Sequence, residues 1–275
     1  MKMKLCDVNK EISNEVLNFI KNVPDVGEES ITDYLLWQWR KSDNRFNYLD
    51  VKKFTKSEEN KTSGADFEVE LWFLGRSFCI PMVVQAKKFL TNYGGYRRKL
   101  NYPDDTQEQL RTLLSYAKSK DYIPFYFIYT VPECGTTVLC CEDSLAINHD
   151  TGIYIASAYA IEGLANKLKG KRLSRDRILK ESSPLHCLFC CPLEIRKVFT
   201  RLCSPEVINF YEEYATKFNG DNMPEYVRYL VSNQAAELED RRLHRIIVES
   251  DLKKYRYVAT FDMRDEEESL PDRSS

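Results

Sequence analysis

The run Gly64-Ala65-Asp66-Phe67-Glu68-Val69-Glu70-Leu71-Trp72-Phe73, followed after a short turn by Val83-Val84-Gln85-Ala86-Lys87-Lys88, decides the fold. It reads as two neighbouring strands, 65–74 and 78–87, joined through Gly75-Arg76-Ser77. Residues i and i+2 of a strand share a face, so Gln85 and Lys87 look into one space. A paired strand brings Asp66 towards that space.

Working outward, apolar residues at helical spacing (Val8, Ile12, Val16, Phe19, Ile20) predict a helix over 7–22, ended by Pro24. Gly27-Glu28-Glu29-Ser30-Ile31-Thr32 opens a second helix, with Ile31, Leu35, Leu36 and Trp39 on one face. A strand is expected near 46–54. Residues 88–104 lack periodicity and read as a loop, and a helix follows from Asp105 or Thr106 to about Lys118. The continuous apolar run 123–129 fits a buried strand. A weaker strand is expected near 137–141, then a strand end and helix over 153–168. Beyond 190 the pattern is helical (194–202, 205–218, 224–239), with a final strand at 255–261. This order of helices and strands indicates an α/β core with a mixed central sheet flanked by helices. The domain reading is a core over 1–190, a helical C-terminal extension over 191–261 packed on it, and an acidic flexible tail over 262–275.

The 275 residues are long enough for a substantial core, and 43% hydrophobic residues exclude a disordered chain. A net charge of −2 gives no global attraction to a polyanion, so any such partner has to be met by local basic patches. No apolar run reaches membrane-spanning length, and the basic start Met1-Lys2-Met3-Lys4 lacks an apolar stretch after it. Nine cysteines at irregular spacing, without an export signal, point to reduced thiols in the cytoplasm. Homo-oligomer formation is left open.

An acid, a carbonyl oxygen and an amine converging at a sheet end are the parts of a metal-dependent phosphodiesterase site. Asp66 would be the firm anionic ligand of Mg²⁺ or Mn²⁺, with the Gln85 side-chain carbonyl and the Ala86 backbone carbonyl adding neutral oxygens. Lys87 would orient the attacking water or stabilise developing charge. An upstream acid completes such a site. Glu28 and Glu29 are the candidates, and Glu28 continues the apolar stripe through Ile31 and Leu35. Glu68, two residues after Asp66, is a ligand or a supporting partner.

These residues resemble the PD-(D/E)xK nuclease superfamily, in the branch where Gln replaces the second acid, as in Mrr-type restriction endonucleases. The chain is similar in more detail to a bacterial family with a GEExxT, GADxE, QAK arrangement, here Gly27 to Thr32, Gly64 to Glu68 and Gln85 to Lys87. The resemblance extends through Gln109-Leu110, Leu113 to Ala117, Pro124 to Tyr129 and Leu188 to Cys191. It implies a restriction-endonuclease-like fold, Mg²⁺, a DNA substrate and a role in anti-phage defence with partner proteins of such a system. Gln85 departs from the acidic pattern: it removes one negative charge, which lowers metal affinity unless Glu28, Glu29 or Glu68 compensates. The contrasting expectation is therefore a nuclease-like binding or interaction module without activity, and a third is cleavage of RNA.

Lys88, Arg97, Arg98 and Lys99 lie with Tyr93 and Tyr96 in a stretch containing no acid after the active strand, suited to phosphate contact and base stacking. A second basic run spans 167–180. His186-Cys187-x-x-Cys190-Cys191, with Cys203 and Cys140-Cys141, lacks the second well-spaced pair that structural zinc needs. A cysteine nucleophile paired with His149, His186 or His244 has no local signature. Trp37, Trp39 and Trp72 are expected in the core, and Gln109 is expected to face solvent, with the site in reach of its helix as the alternative.

Overall fold

The computed structural model describes residues 5–51, 67–75, 79–89, 91–92, 95–96, 99–100, 105–133, 135–139, 145–147, 151–168, 173–189, 223–232, 245–247, 249–250, 252–262 and 264. Helices α1 (Leu5–Asn22) and α2 (Glu28–Ser42) precede strands β1 (Phe46–Asp50), β2 (Phe67–Leu74) and β3 (Cys79–Lys88). The two-residue strands β4 (Thr91–Asn92), β5 (Gly95–Tyr96) and β6 (Lys99–Leu100) follow. Next come α3 (Asp105–Lys120), β7 (Ile123–Tyr129), β8 (Thr137–Leu139), β9 (Leu145–Ile147) and β10 (Ile153–Ser157). The remainder comprises α4 (Ala158–Lys167), β11 (Leu173–Ser174), α5 (Arg175–Lys180), β12 (Ser182–Pro184), a 3-10 turn (Leu185–Leu188), α6 (Glu225–Ser232) and β13 (Tyr255–Asp262).

Among the described residues, seven strands form one mixed sheet in the order β1-β13-β2-β3-β7-β10-β12. β2 and β3 make the expected antiparallel hairpin, in register from Leu74↔Cys79 to Val69↔Val84. β3 runs parallel to β7 through the α3 crossover, and β13 runs parallel to β2. Period-2 alternation sorts the strand residues into two apolar layers. Val69, Leu71, Phe73, Met82, Val84, Phe125 and Phe127 meet α1, α2 and the 3-10 turn. Trp72, Leu74, Val83, Tyr126 and Ile128 meet α3, α4, α5 and α6. A sheet buried on both faces needs apolar residues at every position, which is why 123–129 reads as an unbroken apolar run.

The alternation slips at one end of two neighbouring strands. Phe67 and Tyr255, opposite each other in register, belong to the α3 layer, whereas Val69 and Tyr257 belong to the α2 layer. The Phe67 ring packs 4.8 Å from Tyr116 of α3. Glu68 and Arg256, lying between those residues, reach towards α2.

Helix α1 approaches the sheet closely at Gly152. Its N–H donates to the Ser13 carbonyl at 2.9 Å, and its carbonyl accepts from Thr130 N–H at 3.1 Å. A Cβ there would lie 2.5 Å from the Leu17 nitrogen and 2.7 Å from its Cα, backbone atoms that cannot step aside.

Several expectations need correction. Residues 88–104 are not a plain loop: β4 pairs with β5, and β6 pairs with β11. Such pairs are too short to leave a periodic signal. β8 has a partner, β9, that the pattern did not reveal. Within the stretch expected to pack on the core, β13 sits between β1 and β2 inside the sheet. Trp39 and Trp72 are buried, but Trp37 is 51% exposed, with Lys41 Nζ 5.2 Å from its ring. It lies between the buried positions 36 and 39 on the helix and turns to the opposite side. The helices expected at 194–202 and 205–218, the part of 224–239 beyond Ser232, and the tail after 264 lie outside the described residues.

Candidate functional site

Glu28 opens α2 with Glu29, both acids standing at the positive end of the helix dipole. The β2 ladder along β3 ends at Val84. The Phe89 N–H bonds the other neighbour, donating to the Tyr129 carbonyl at 3.1 Å. Lys88 N–H points the opposite way, and Glu28 Oε1 accepts it at 2.7 Å. Burial pushes the Glu28 carboxyl up from its ordinary value, opposed by this hydrogen bond and by the charges of Lys87 and Lys88. Thr32 Oγ1 donates to the Glu28 carbonyl at 3.2 Å and shares a 2.8 Å hydrogen bond with the buried Tyr129 hydroxyl. The first turn of α2 is thus tied to the ends of β3 and β7.

Lys87 and Lys88 diverge, as successive strand residues must. Lys87 Nζ donates to Gln109 Oε1 of α3 at 2.7 Å. Gln109 therefore reaches Lys87 from an exposed position on α3, the alternative to a purely solvent-facing side chain. Gln85 shares the Lys87 side of β3 by alternation and is partly exposed. Ala86 is buried on the α2 side, opposite Phe127 in register. Lys88 is 3% exposed, its Nζ donating to the carbonyls of Pro24 at 2.5 Å and Val26 at 2.6 Å. This corrects its assignment as a nucleic-acid contact: its charge is spent holding the α1–α2 connection.

Glu68 is committed elsewhere. Arg256 Nη1 donates to Glu68 Oε1 at 2.9 Å, and Arg256 Nη2 lies 2.7 Å from Asp33 Oδ1. Glu29, exposed on α2, stands 3.6 Å from the same guanidinium. Tyr257 donates its hydroxyl to Asp33 Oδ1 at 2.6 Å. Burial pushes the Glu68 carboxyl up, and the charge and hydrogen bond of Arg256 pull it back. So Glu28 meets β3, while Glu29 and Glu68 meet Arg256. Arg256, Tyr257 and Asp33 escaped the sequence reading. Asp33 carried a signal, four residues after Glu29 and therefore on its side of α2. Arg256 carried none, lying in a strand far along the chain.

Asp66 immediately precedes β2 and lies outside the described residues, as do Tyr93, Arg97 and Arg98. Tyr96 and Lys99 fall in β5 and β6. In the second basic run, Arg175 is 1% exposed and bonds Glu133 at 2.7 Å and the Val131 carbonyl at 3.0 Å, so it is not free for phosphate. Cys187 and His186 are buried, and Cys140, Cys141, Cys190, Cys191, Cys203, His149 and His244 lie outside the described residues. Among the described residues, no three His, Cys, Asp or Glu side chains are grouped to hold a metal. None of the described helices is long and apolar enough to cross a membrane.

A model of a family of unknown function, DUF6615, matches residues 5–255, and the chain belongs to that family. No curated protein and no solved structure matches the chain.

Proposed function

We propose that this member of the DUF6615 family is a divalent-metal-dependent nuclease acting on DNA, with Glu28, Asp66, Gln85 and Lys87 as its working residues. The observation that carries the reading is Glu28 Oε1 on the Lys88 amide at 2.7 Å, with the charge of Lys87 close enough to act on the same carboxyl. An acid from the start of a helix is thereby joined to the backbone of the QxK strand, though 60 residues of sequence separate Glu28 from Lys88.

The donors at hand, the Glu28 carboxylate and the Gln85 amide carbonyl, are oxygens, which suits Mg²⁺ or Mn²⁺ better than zinc. Such an ion, when bound, neutralises phosphate charge and acidifies a coordinated water. Glu28 is held in place for this by the hydrogen bond that its Oε1 accepts from the Lys88 amide. Lys87 Nζ, fixed at 2.7 Å by Gln109, stands ready to orient a water or to stabilise charge developing on phosphate oxygens.

One observation favours a second reading, a nucleic-acid-binding module without activity. Glu68 is neutralised by Arg256, so it does not restore the charge that Gln85 lacks. Titration with Mn²⁺ separates the two readings. The direct test is cleavage of plasmid DNA with Mg²⁺ by folded wild type, Glu28→Gln, Lys87→Ala and Asp66→Ala. Each variant is expected to lose activity by roughly 10²-fold or more. Wild-type cleavage by folded Asp66→Ala overturns the mechanism, and parallel digestion of RNA decides the nucleic acid.

A further inference from the structure

We infer that Arg256 is a positioning residue of this site: through Asp33 and Glu68 it holds α2 at the register where Glu28 meets the Lys88 amide. The inference rests on the nuclease reading for its functional weight, and its test is independent of that reading.

Arg256 belongs to β13, a strand from the far end of the sequence set beside β2 in the sheet. Its guanidinium bonds two elements at once. Nη1 donates to Glu68 of β2 at 2.9 Å, and Nη2 lies 2.7 and 2.9 Å from the two oxygens of Asp33 on α2. The guanidinium carbon sits 5.0 Å from the centre of the Tyr257 ring, and that tyrosine bonds Asp33 as well. Arg256 is only 8% exposed, so the fork has little freedom to reorient.

Apolar burial of Ile31, Leu35 and Leu36 presses α2 onto the sheet but is non-directional, and by itself tolerates small slides and rotations of the helix. Directed bonds at defined points remove that freedom. Asp33 lies five residues after Glu28, so a clamp on Asp33 sets the rotation and height of the turn that begins with Glu28. Lysine carries the charge but not the planar fork, and cannot hold two carboxylates on two elements in the same way.

The readout is hydrogen exchange at the Lys88 amide, which Glu28 protects, with Phe89 as an internal reference protected by the β7 ladder. Arg256→Gln is expected to speed Lys88 exchange roughly tenfold and to leave Phe89 unchanged, the change produced by losing one charge-assisted hydrogen bond. Asp33→Ala, on the exposed side of α2, keeps the Arg256–Glu68 pair and carries the test should Arg256→Gln not fold. It is expected to act in the same direction, with Arg256→Lys falling between wild type and Arg256→Gln. Unchanged Lys88 exchange in Asp33→Ala, or an equal rise at Phe89, overturns the inference. Mn²⁺ affinity in the same variants should fall in step with Lys88 protection. A wild type that binds no Mn²⁺ would defeat the nuclease reading while leaving the exchange result to decide the role of Arg256.

Discussion

Two glutamates show how one side-chain type is put to different uses by its surroundings. Glu28 stands at a helix start and keeps a charged neighbour, Lys87. Glu70 is fully buried on the other face of the sheet, where its Oε1 accepts from Trp72 Nε1 at 2.6 Å and from the Tyr226 hydroxyl. Burial pushes the Glu70 carboxyl up, against the smaller effect of those hydrogen bonds. With the folded value above the unfolded one, the folded chain keeps a proton that the unfolded chain releases. Stability from this group is therefore full below the unfolded carboxyl value and falls as pH rises towards the folded value. Glu70→Gln keeps the acceptor oxygen and removes the titration. It is expected to unfold at higher urea concentration than wild type at neutral pH and to depend less on pH above the ordinary carboxylate value. The slope that remains belongs in part to Glu28 and Glu68, which are shifted in the same direction. A steeper dependence in the variant would refute this account of Glu70.

At the scale of elements, the smallest strands make the most informative connection. β6 and β11 pair with Lys99 opposite Ser174 and Leu100 opposite Leu173. The two basic runs of the sequence, one leaving the QxK strand and one ending in α5, are thus joined by a short ladder. Arg177 and Lys180 are exposed on α5 beside it. If this surface carries the nucleic acid, removing one phosphate-binding cation should weaken binding at all sequences and flatten the dependence of log K on log salt by roughly one unit. Fluorescence anisotropy of the single variants Arg177→Gln and Lys180→Gln with duplex DNA over a salt series measures both quantities. An unchanged slope would place the substrate path elsewhere. Arg175 is the counterexample within the same run: its guanidinium ties α5 to the residues after β7 and takes no part in the exposed charge.

For the whole molecule, the governing fact is that β13 lies inside the sheet, between β1 and β2. β13 pairs with β1 on one side and β2 on the other, and buries Tyr257, Ala259 and Phe261 against the α2 layer. Phe261 stacks on Phe73 at 5.4 Å and meets the edge of Trp39 at 5.1 Å. Ending the chain at residue 254 would leave β1 without its partner and β2 with an open apolar edge. Such a truncation is expected to abolish cooperative urea unfolding and to expose the remainder to limited proteolysis. A truncated protein with a wild-type transition would mean that the core stands without β13. The same arrangement couples the site to the chain end, since Arg256 enters the structure only with this strand.

Local pattern by itself determined the hairpin of β2 and β3, the buried strand over 123–129 and the two leading helices. Each of these depends on residues close in sequence, where helical or strand periodicity is a direct record of which side is buried. Tertiary structure alone decided the position of β13, the inward turn of Lys88, the exposure of Trp37 and the pairing of Glu68 with Arg256. Those outcomes depend on which distant element covers a face and on a one-residue slip of alternation shared by two strands. A slip of that kind leaves composition and spacing untouched while moving a charge from one face of the sheet to the other.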